Sequence, residues 1–246
     1  MSDFTIISYQ QRPELESRSD NLDELWPDFI HHNEAAARYY PAMFEHFGAF
    51  QLYWLSADDE AAAAGHSVPL AWDGTVEGLP AGRDAALAHA IEGCAAALTP
   101  TTLCSLNASV APDYLGRGLG TQIMRALCAL AREHGFESLI APVRPTLKSA
   151  YPRMTLAQYL TWKRADGTFF DPWLRVHQTL GAEVLTIAER SLTIQGTVAQ
   201  WEAWTSMRFP HSGEYVVPGA LVPVIIDCAA NRGVYVEPNV WMVHRV

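Results

Sequence analysis

Asp113-Tyr-Leu-Gly-Arg-Gly-Leu-Gly-Thr121 is the stretch whose reading decides the fold. Before it runs Thr102-Leu-Cys-Ser-Leu-Asn-Ala-Ser-Val110, rich in strand-forming residues. After it, Gln122 to Glu133 places Ile123, Met124, Leu127, Leu130 and Ala131 on one helical face, and Phe136-Glu-Ser-Leu-Ile-Ala-Pro-Val143 follows as a second apolar run. A strand that enters a glycine turn and leaves as a helix aims several unpaired backbone N–H groups at one point. The positive end of the helix dipole points there too. The expected occupant is an anion, most simply a phosphate.

The chain to the N-terminal side reads as a strand, Phe4 to Tyr9, and then a helix from Leu22 to about Phe47. Asp20 or Asn21 caps that helix, Pro41 bends it and Gly48 stops it. Its aromatics, Trp26, Phe29, Tyr39, Tyr40, Phe44 and Phe47, are expected to pack in the core. Ala49–Leu55 and Ala61–Trp72 form a hairpin, and Arg83–Leu98 is an Ala-rich helix. To the C-terminal side, Thr155–Lys163 is a short helix. Asp171-Pro172 starts another, ending at Gly181. Ala182–Ile187 and Ser191–Ile194 are strand-like, Thr197–Thr205 is a short helix, and Tyr215–Ile226 and Val234–Val246 are the last strands, joined by a turn at Asn231-Arg-Gly233. This order predicts one α/β (α+β) domain over residues 1–246: a mixed, twisted central sheet flanked by helices, with extra C-terminal strands. Its parts are an N-terminal half over 1–101, a core over 102–181 and a tail over 182–246. A doubly wound dinucleotide fold is disfavoured, because Gly116, Gly118 and Gly120 alternate and Glu137 lies at the start of the next strand.

Composition narrows the function. The 246 residues are 49% hydrophobic and 18% charged, as in a soluble globular protein. With Lys+Arg 17 and Asp+Glu 27 the net charge is −10, which argues against nucleic acid or an anionic membrane as partner. An anionic ligand then needs local positive charge, and Arg117, Arg144 and Lys148 are the candidates. The last two otherwise read as surface charges, as does Glu237. Cys94, Cys104, Cys128 and Cys228 are too scattered for a paired motif and read as reduced, buried thiols. Met1-Ser-Asp-Phe4 carries no secretory pattern and no run reaches the ~20 apolar residues of a membrane span, so a cytoplasmic location is expected. His31-His32 and the scattered acids lack ligand spacing, so no metal is expected. The Trp-rich C-terminal third leaves room for a homodimer interface.

The motif resembles that of the GNAT superfamily of acyl-CoA-dependent N-acetyltransferases, Arg/Gln-x-x-Gly-x-Gly/Ala at the mouth of a helix. Here Val110-Ala-Pro-Asp-Tyr114 precedes Leu115-Gly-Arg-Gly-Leu-Gly-Thr121, with Gly118 and Gly120 on the two glycine positions and Leu115 where Arg or Gln is usual. The resemblance implies that Val110, Leu115, Gly116, Arg117, Gly118, Leu119, Gly120 and Thr121 bind acetyl-CoA or another acyl-CoA. It also implies that Asn107 and Ser105 lie on the strand that pairs with the coenzyme arm, their side chains toward the acceptor, with Asn107 and Thr146 as candidate catalytic residues beside His177; alternation puts Ser105 and Asn107 on one face. In His177-Gln-Thr-Leu-Gly-Ala182, His177 occupies the position of the family's general-acid tyrosine. Arg144, Tyr151 and Trp173 are candidate substrate contacts. The leading function is transfer of an acetyl or short acyl group to a small-molecule amine. The segment Val143 to His177 is also similar to GNAT-like decarboxylase domains of polyketide synthases, which act on malonyl or methylmalonyl thioesters and use a catalytic His, with Thr146 or Arg144 to hold the carboxylate. The missing Arg/Gln at Leu115 motivates a third reading, a non-catalytic acyl-CoA-binding protein.

Overall fold

In the computed structural model, which describes residues 4–246, the chain opens as an antiparallel meander. Its strands are β1 (Thr5–Ser8), β2 (Gln51–Leu55), β3 (Ala61–Leu70) and β4 (Thr102–Val110), interrupted by α1 (Glu34–Phe47) and α2 (Arg83–Ala95). The glycine turn leads into α3 (Leu119–Glu133) and then β5 (Ser138–Val143), which runs parallel to β4. After α4 (Leu156–Leu160) and α5 (Pro172–Thr179) come β6 (Glu183–Gly196), α6 (Val198–Thr205), β7 (Gly213–Tyr215), β8 (Val224–Asp227) and β9 (Arg232–Arg245). One mixed sheet results, in the order β1-β2-β3-β4-β5-β9-β8-β7, with β6 paired along β9. The mixed sheet flanked by helices, with added C-terminal strands, is the expected fold class. Met1–Asp3, where the reading of a missing leader begins, lie outside the described residues.

The departures from the sequence reading have local causes. Residues 22–33 do not join the first helix: they form 3-10 turns, and α1 starts only where the Asn33 side chain accepts the Ala36 N–H at 2.6 Å. Pro41 lies inside α1, which runs on to Phe47 and stops at Gly48 as expected. The two predicted strands at 182–194 are one strand, β6, bent where its register with β9 shifts at Val184/Thr186 and Ala188/Leu192. The predicted strand Tyr215–Ile226 is instead two short strands around a loop that contains Pro218 and Gly219. Trp201 and Trp241 are buried within the chain, as are Phe29, Phe44 and Phe47. Cys104 and Cys128 are buried, but Cys94 and Cys228 are exposed, contrary to expectation. Among the described residues no helix is long and apolar enough to cross a membrane.

Two layers cover the sheet. On the front, α1 and α2 pack over Val68, Leu70, Cys104, Ile140, Trp241 and Val243. On the back, α3 and α5 pack over Leu103, Leu139 and their neighbours. Gly65 marks the back of β3, because a Cβ there would stand 2.7 Å from Ile123 Cγ2 of α3. A bulge crosses the middle of β4: His66 pairs with Asn107 and Ser67 with Ser105, which leaves Leu106 over. One extra residue reverses the alternation. Ser105 therefore faces back and Asn107 faces front, and the expectation of a shared face fails.

Candidate active site

The parallel strands β4 and β5 pair only at Leu103–Leu139 and Cys104–Ile140. Beyond those pairs they part, so a slot opens between their C-terminal halves. The glycine turn sits at the end of β4. Gly116 (φ +77°) and Gly118 (φ +75°) are left-handed, with nothing within 4 Å of where a Cβ would lie. This conformation is what glycine permits. Gly118 is the cap of α3, no side chain caps its N–H groups, and no acid stands in its first turn. The N–H groups of Leu119, Gly120 and Thr121 thus have no side-chain cap at the positive end of a 15-residue helix. Arg117 is exposed beside them, over the Tyr114 ring at 4.9 Å and donating to the Asp113 carbonyl at 3.1 Å. Gly120 has a different reason to be glycine: a Cβ there would come 3.0 Å from the Trp173 ring, which packs α5 against α3. A turn with this donor set and a slot beside it fits a pyrophosphate and the extended arm of a coenzyme.

The front of the slot is polar and built. Trp26, in the segment before α1, donates from Nε1 to Ser109 Oγ at 3.2 Å, and Ser109 donates to Asn107 Oδ1 at 3.2 Å. Arg144, one residue past β5, lies 5.4 Å over the Trp26 ring. Its Nε donates to both oxygens of Glu237, at 3.1 and 3.0 Å, and its Nη2 to the Gly219 carbonyl at 2.7 Å. Glu237 also accepts from Tyr235 Oη at 2.6 Å and Asn239 Nδ2 at 3.0 Å. Its side chain is 1% exposed and that of Arg144 19%. Burial disfavours the Arg144 charge, but Glu237 and Tyr235 more than offset it and keep the guanidinium protonated. Arg83 of α2, paired with Tyr40 and Asp84, also feels the Glu237 charge.

Neither Glu237 nor Lys148 is the surface charge that the sequence suggests. Lys148 is 0% exposed and donates to the carbonyls of Tyr151 and Leu221 at 2.8 and 2.7 Å. Burial pushes its ammonium down to about 8. It ties the 3-10 turn after β5 to the loop between β7 and β8, rather than meeting a ligand.

His177 lies on α5 behind the sheet, 1% exposed, with its Nδ1 3.0 Å from Nε2 of His244 on β9. The outer nitrogens, His177 Nε2 and His244 Nδ1, are buried without a hydrogen-bond partner. Burial, with a smaller contribution from His244, pushes His177 down to about 3, and burial pushes His244 down to about 4. Both rings are therefore neutral at pH 7, and the 1%-exposed His177 is held against His244 rather than open to a leaving thiolate. Because both folded values lie below the usual 6.5, the stability the pair contributes is present above pH 6.5 and is lost as pH falls toward 4. Urea unfolding should show a loss of about 2 kcal/mol per imidazole between pH 7 and pH 5. A His177→Gln/His244→Gln variant should lose most of that dependence. An equally steep decline in the variant would rule out the neutral pair.

The predicted residues fall into three groups. Val110, Leu115, Gly116, Arg117, Gly118, Leu119, Gly120 and Thr121 gather at the turn, with Leu115 55% exposed. Asn107 and Arg144 meet Trp26 on the front. Of the remaining candidates Trp173 packs over Gly120 at the turn, and the others lie apart from both groups. Trp173 packs edge-on to His177 at 4.8 Å, Tyr151 joins Trp162 and Phe170 in an aromatic cluster, and Thr146 is exposed past β5. No local pattern marks Tyr235, and Trp26 reads from the sequence as one of several core aromatics: both join Arg144 and Glu237 only through the fold. Among the described residues no group of three or more His, Cys, Asp or Glu is placed to hold a metal ion.

Comparison with known proteins agrees with this geometry. Residues 18–153 match the acetyltransferase (GNAT) family. The chain is 34% identical over 253 residues to arginine N-acetyltransferase avaD of Aspergillus versicolor, covering 92% of this chain and 87% of that one. Its fold is similar to the loading GNATL domain of CurA from Lyngbya majuscula, with a TM-score of 0.58 at 14% identity over 98% of this chain and 97% of that one. It is also similar to the GphF GNAT-like decarboxylase solved with isobutyryl-CoA, with a TM-score of 0.54 at 14% identity over 98% of both chains. At that identity these two structures speak for the fold alone. The chain belongs to the acetyltransferase (GNAT) family, and it is an acyl-CoA-dependent N-acyltransferase.

Proposed function

We propose that this enzyme transfers an acetyl or other short acyl group from coenzyme A to the amine of a small amino acid-like molecule of the arginine type. The observation that carries the reading is the Arg144–Glu237 pair at the front mouth of the slot, packed against Trp26 in a chain of net charge −10. The relative avaD, named for arginine, agrees with it. The pyrophosphate rests on the N–H groups from Gly116 to Thr121, and the thioester arm lies in the slot between β4 and β5. The amine enters from the front. Its ammonium or guanidinium group is drawn by the acidic surface and stacks on aromatic faces such as Trp26. Arg144, oriented by Glu237 and Gly219, presents its remaining nitrogen to an acceptor carboxylate. His177 and His244 hold α5, and with it Trp173, against Gly120.

Purified protein with acetyl-CoA should release CoA when L-arginine is added, and more slowly with agmatine, which lacks the carboxylate. Arg144→Lys keeps the charge beside Glu237 but loses the planar fork. It should raise KM for L-arginine by about tenfold and leave that for agmatine nearly unchanged. No amine-dependent release with either would sink the reading. CO₂ release from malonyl-CoA without amine would select the decarboxylase chemistry instead.

A further inference from the structure

His66 of β3 is a polar front-face side chain that the reaction described so far leaves unused. It stands opposite Asn107, where Leu106 drops out of register, three residues past the last pair between β4 and β5 at Cys104. The ring is only part-buried and sits edge-on to Phe44 and Tyr53, each at 5.6 Å. It therefore stands one strand away from the unpaired part of β4, on the sheet face that carries Asn107, Ser109 and Trp26.

Gln51 settles which nitrogen of the ring carries the proton. The Gln51 amide nitrogen donates to two carbonyls, Phe47 and Ser67, both at 2.8 Å. Its N–H groups are thus committed, and Oε1 faces His66 Nδ1 at 3.2 Å as an acceptor. That bond requires the proton on Nδ1 and leaves Nε2 with a bare lone pair. Nε2 has no hydrogen-bond partner among the described residues. A glutamine whose N–H groups are committed elsewhere, so that only its oxygen can face the ring, holds the imidazole in one tautomer.

We propose that His66 is the general base of the acyl transfer, accepting at Nε2 a proton from the attacking amine, with Gln51 as its positioning residue. The inference rests on the front-face entry of the acceptor. In the step, the amine lone pair forms the C–N bond and the carbonyl π pair moves to oxygen. The proton on the now positive nitrogen passes to His66 Nε2. The oxygen pair returns, the C–S bond breaks with its electrons on sulfur, and the imidazolium gives its proton to the thiolate directly or through water. The products are the amide and the thiol.

The ring is suited to a fast relay rather than to storing a proton. Burial first, and then the Arg83 charge, push His66 down to about 4. It is neutral across the physiological range, so Nε2 is available to accept, and the low value favours handing the proton on to sulfur. The charged or titratable groups facing it are Arg83 from α2 and Tyr53 from β2, whose hydroxyl burial keeps protonated; Phe44, Gln51 and Asn107 carry no charge.

His66→Gln should lower kcat/KM for the acceptor by about 100-fold or more while acetyl-CoA binds with its native Kd. In the variant log(kcat/KM) should climb with pH toward the amine pKa, because only amine that can lose its proton to solvent then reacts. Gln51→Leu should lower kcat by about tenfold with little change in KM. Long-range ¹H–¹⁵N NMR of the native protein should show the Nδ1–H tautomer at pH 7. An Nε2–H tautomer, or native kcat/KM in a folded His66→Gln protein, overturns the proposal. If the native enzyme acylates neither L-arginine nor agmatine, the acceptor reading falls and this one with it. If it acylates either and His66→Gln does so equally well, only the base is lost.

Discussion

Gly118→Val should weaken acetyl-CoA binding by about 100-fold without unfolding the protein. Gly118 holds φ +75° and ψ 12°, and an added Cβ meets nothing within 4 Å. The substitution thus creates no clash inside the free chain, and its folding cost is the left-handed backbone, about 1–2 kcal/mol. The open space that tolerates the side chain in the free protein is where the pyrophosphate must approach the N–H groups of Leu119 to Thr121. Losing one or two charge-assisted bonds of about 1.5–3 kcal/mol accounts for the 100-fold change. Calorimetric titration with acetyl-CoA measures it. Gly74→Val is the matched control: Gly74 has φ +83°, equally open surroundings and a place in a loop far along the chain. It incurs the same backbone strain and should bind acetyl-CoA as the native protein does. Equal affinities of the two variants would remove the turn as the coenzyme site.

Glu237→Ala should be the most destabilising single change at the front of the slot, about 3–5 kcal/mol by urea unfolding. The carboxylate accepts from three donors, the Arg144 Nε–H shared between its two oxygens, Tyr235 Oη and Asn239 Nδ2. Its removal leaves the Arg144 Nε–H and the Tyr235 hydroxyl with no acceptor and a 19%-exposed cation with no counter-charge, while Arg144 Nη2 keeps the Gly219 carbonyl and Asn239 the Pro238 carbonyl. The same geometry predicts an asymmetry. Arg144→Met/Glu237→Leu removes both charges together and should recover more than half of the loss, since the desolvation cost goes with the pair. That double variant should still bind acetyl-CoA but lose its preference for L-arginine over agmatine. A double variant as unstable as Glu237→Ala would show that packing, not charge, dominates there.

The parts of the molecule legible from sequence are those set by near neighbours. The glycine turn, the amphipathic face of α3, the Asp171-Pro172 start of α5 and the Gly181 stop (φ +85°) each depend on residues within one helical turn, and each formed where expected. The errors arose wherever distant segments intervene. Nothing near Leu22 announces that the helix must wait for the Asn33 cap, whose own amide is held by Asp84 and the Thr193 carbonyl far along the chain. The bulge at Leu106 is equally invisible, because it exists only in the pairing of β4 with β3, and it alone moves Asn107 to the front.

Reading along the chain, then, identified an anion cradle and the family it belongs to, because backbone donors and dihedral angles are local properties. Which side chains share the reaction space depended on register and burial. Trp26, Arg144 and Glu237 come from three separate segments, and only their convergence turns two apparent surface charges into a buried pair; the Gln51 that orients His66 likewise reaches it only across the β2–β3 pairing. The charge state of His177 was decided the same way, since desolvation by packing against β9 is a property of neighbours in space.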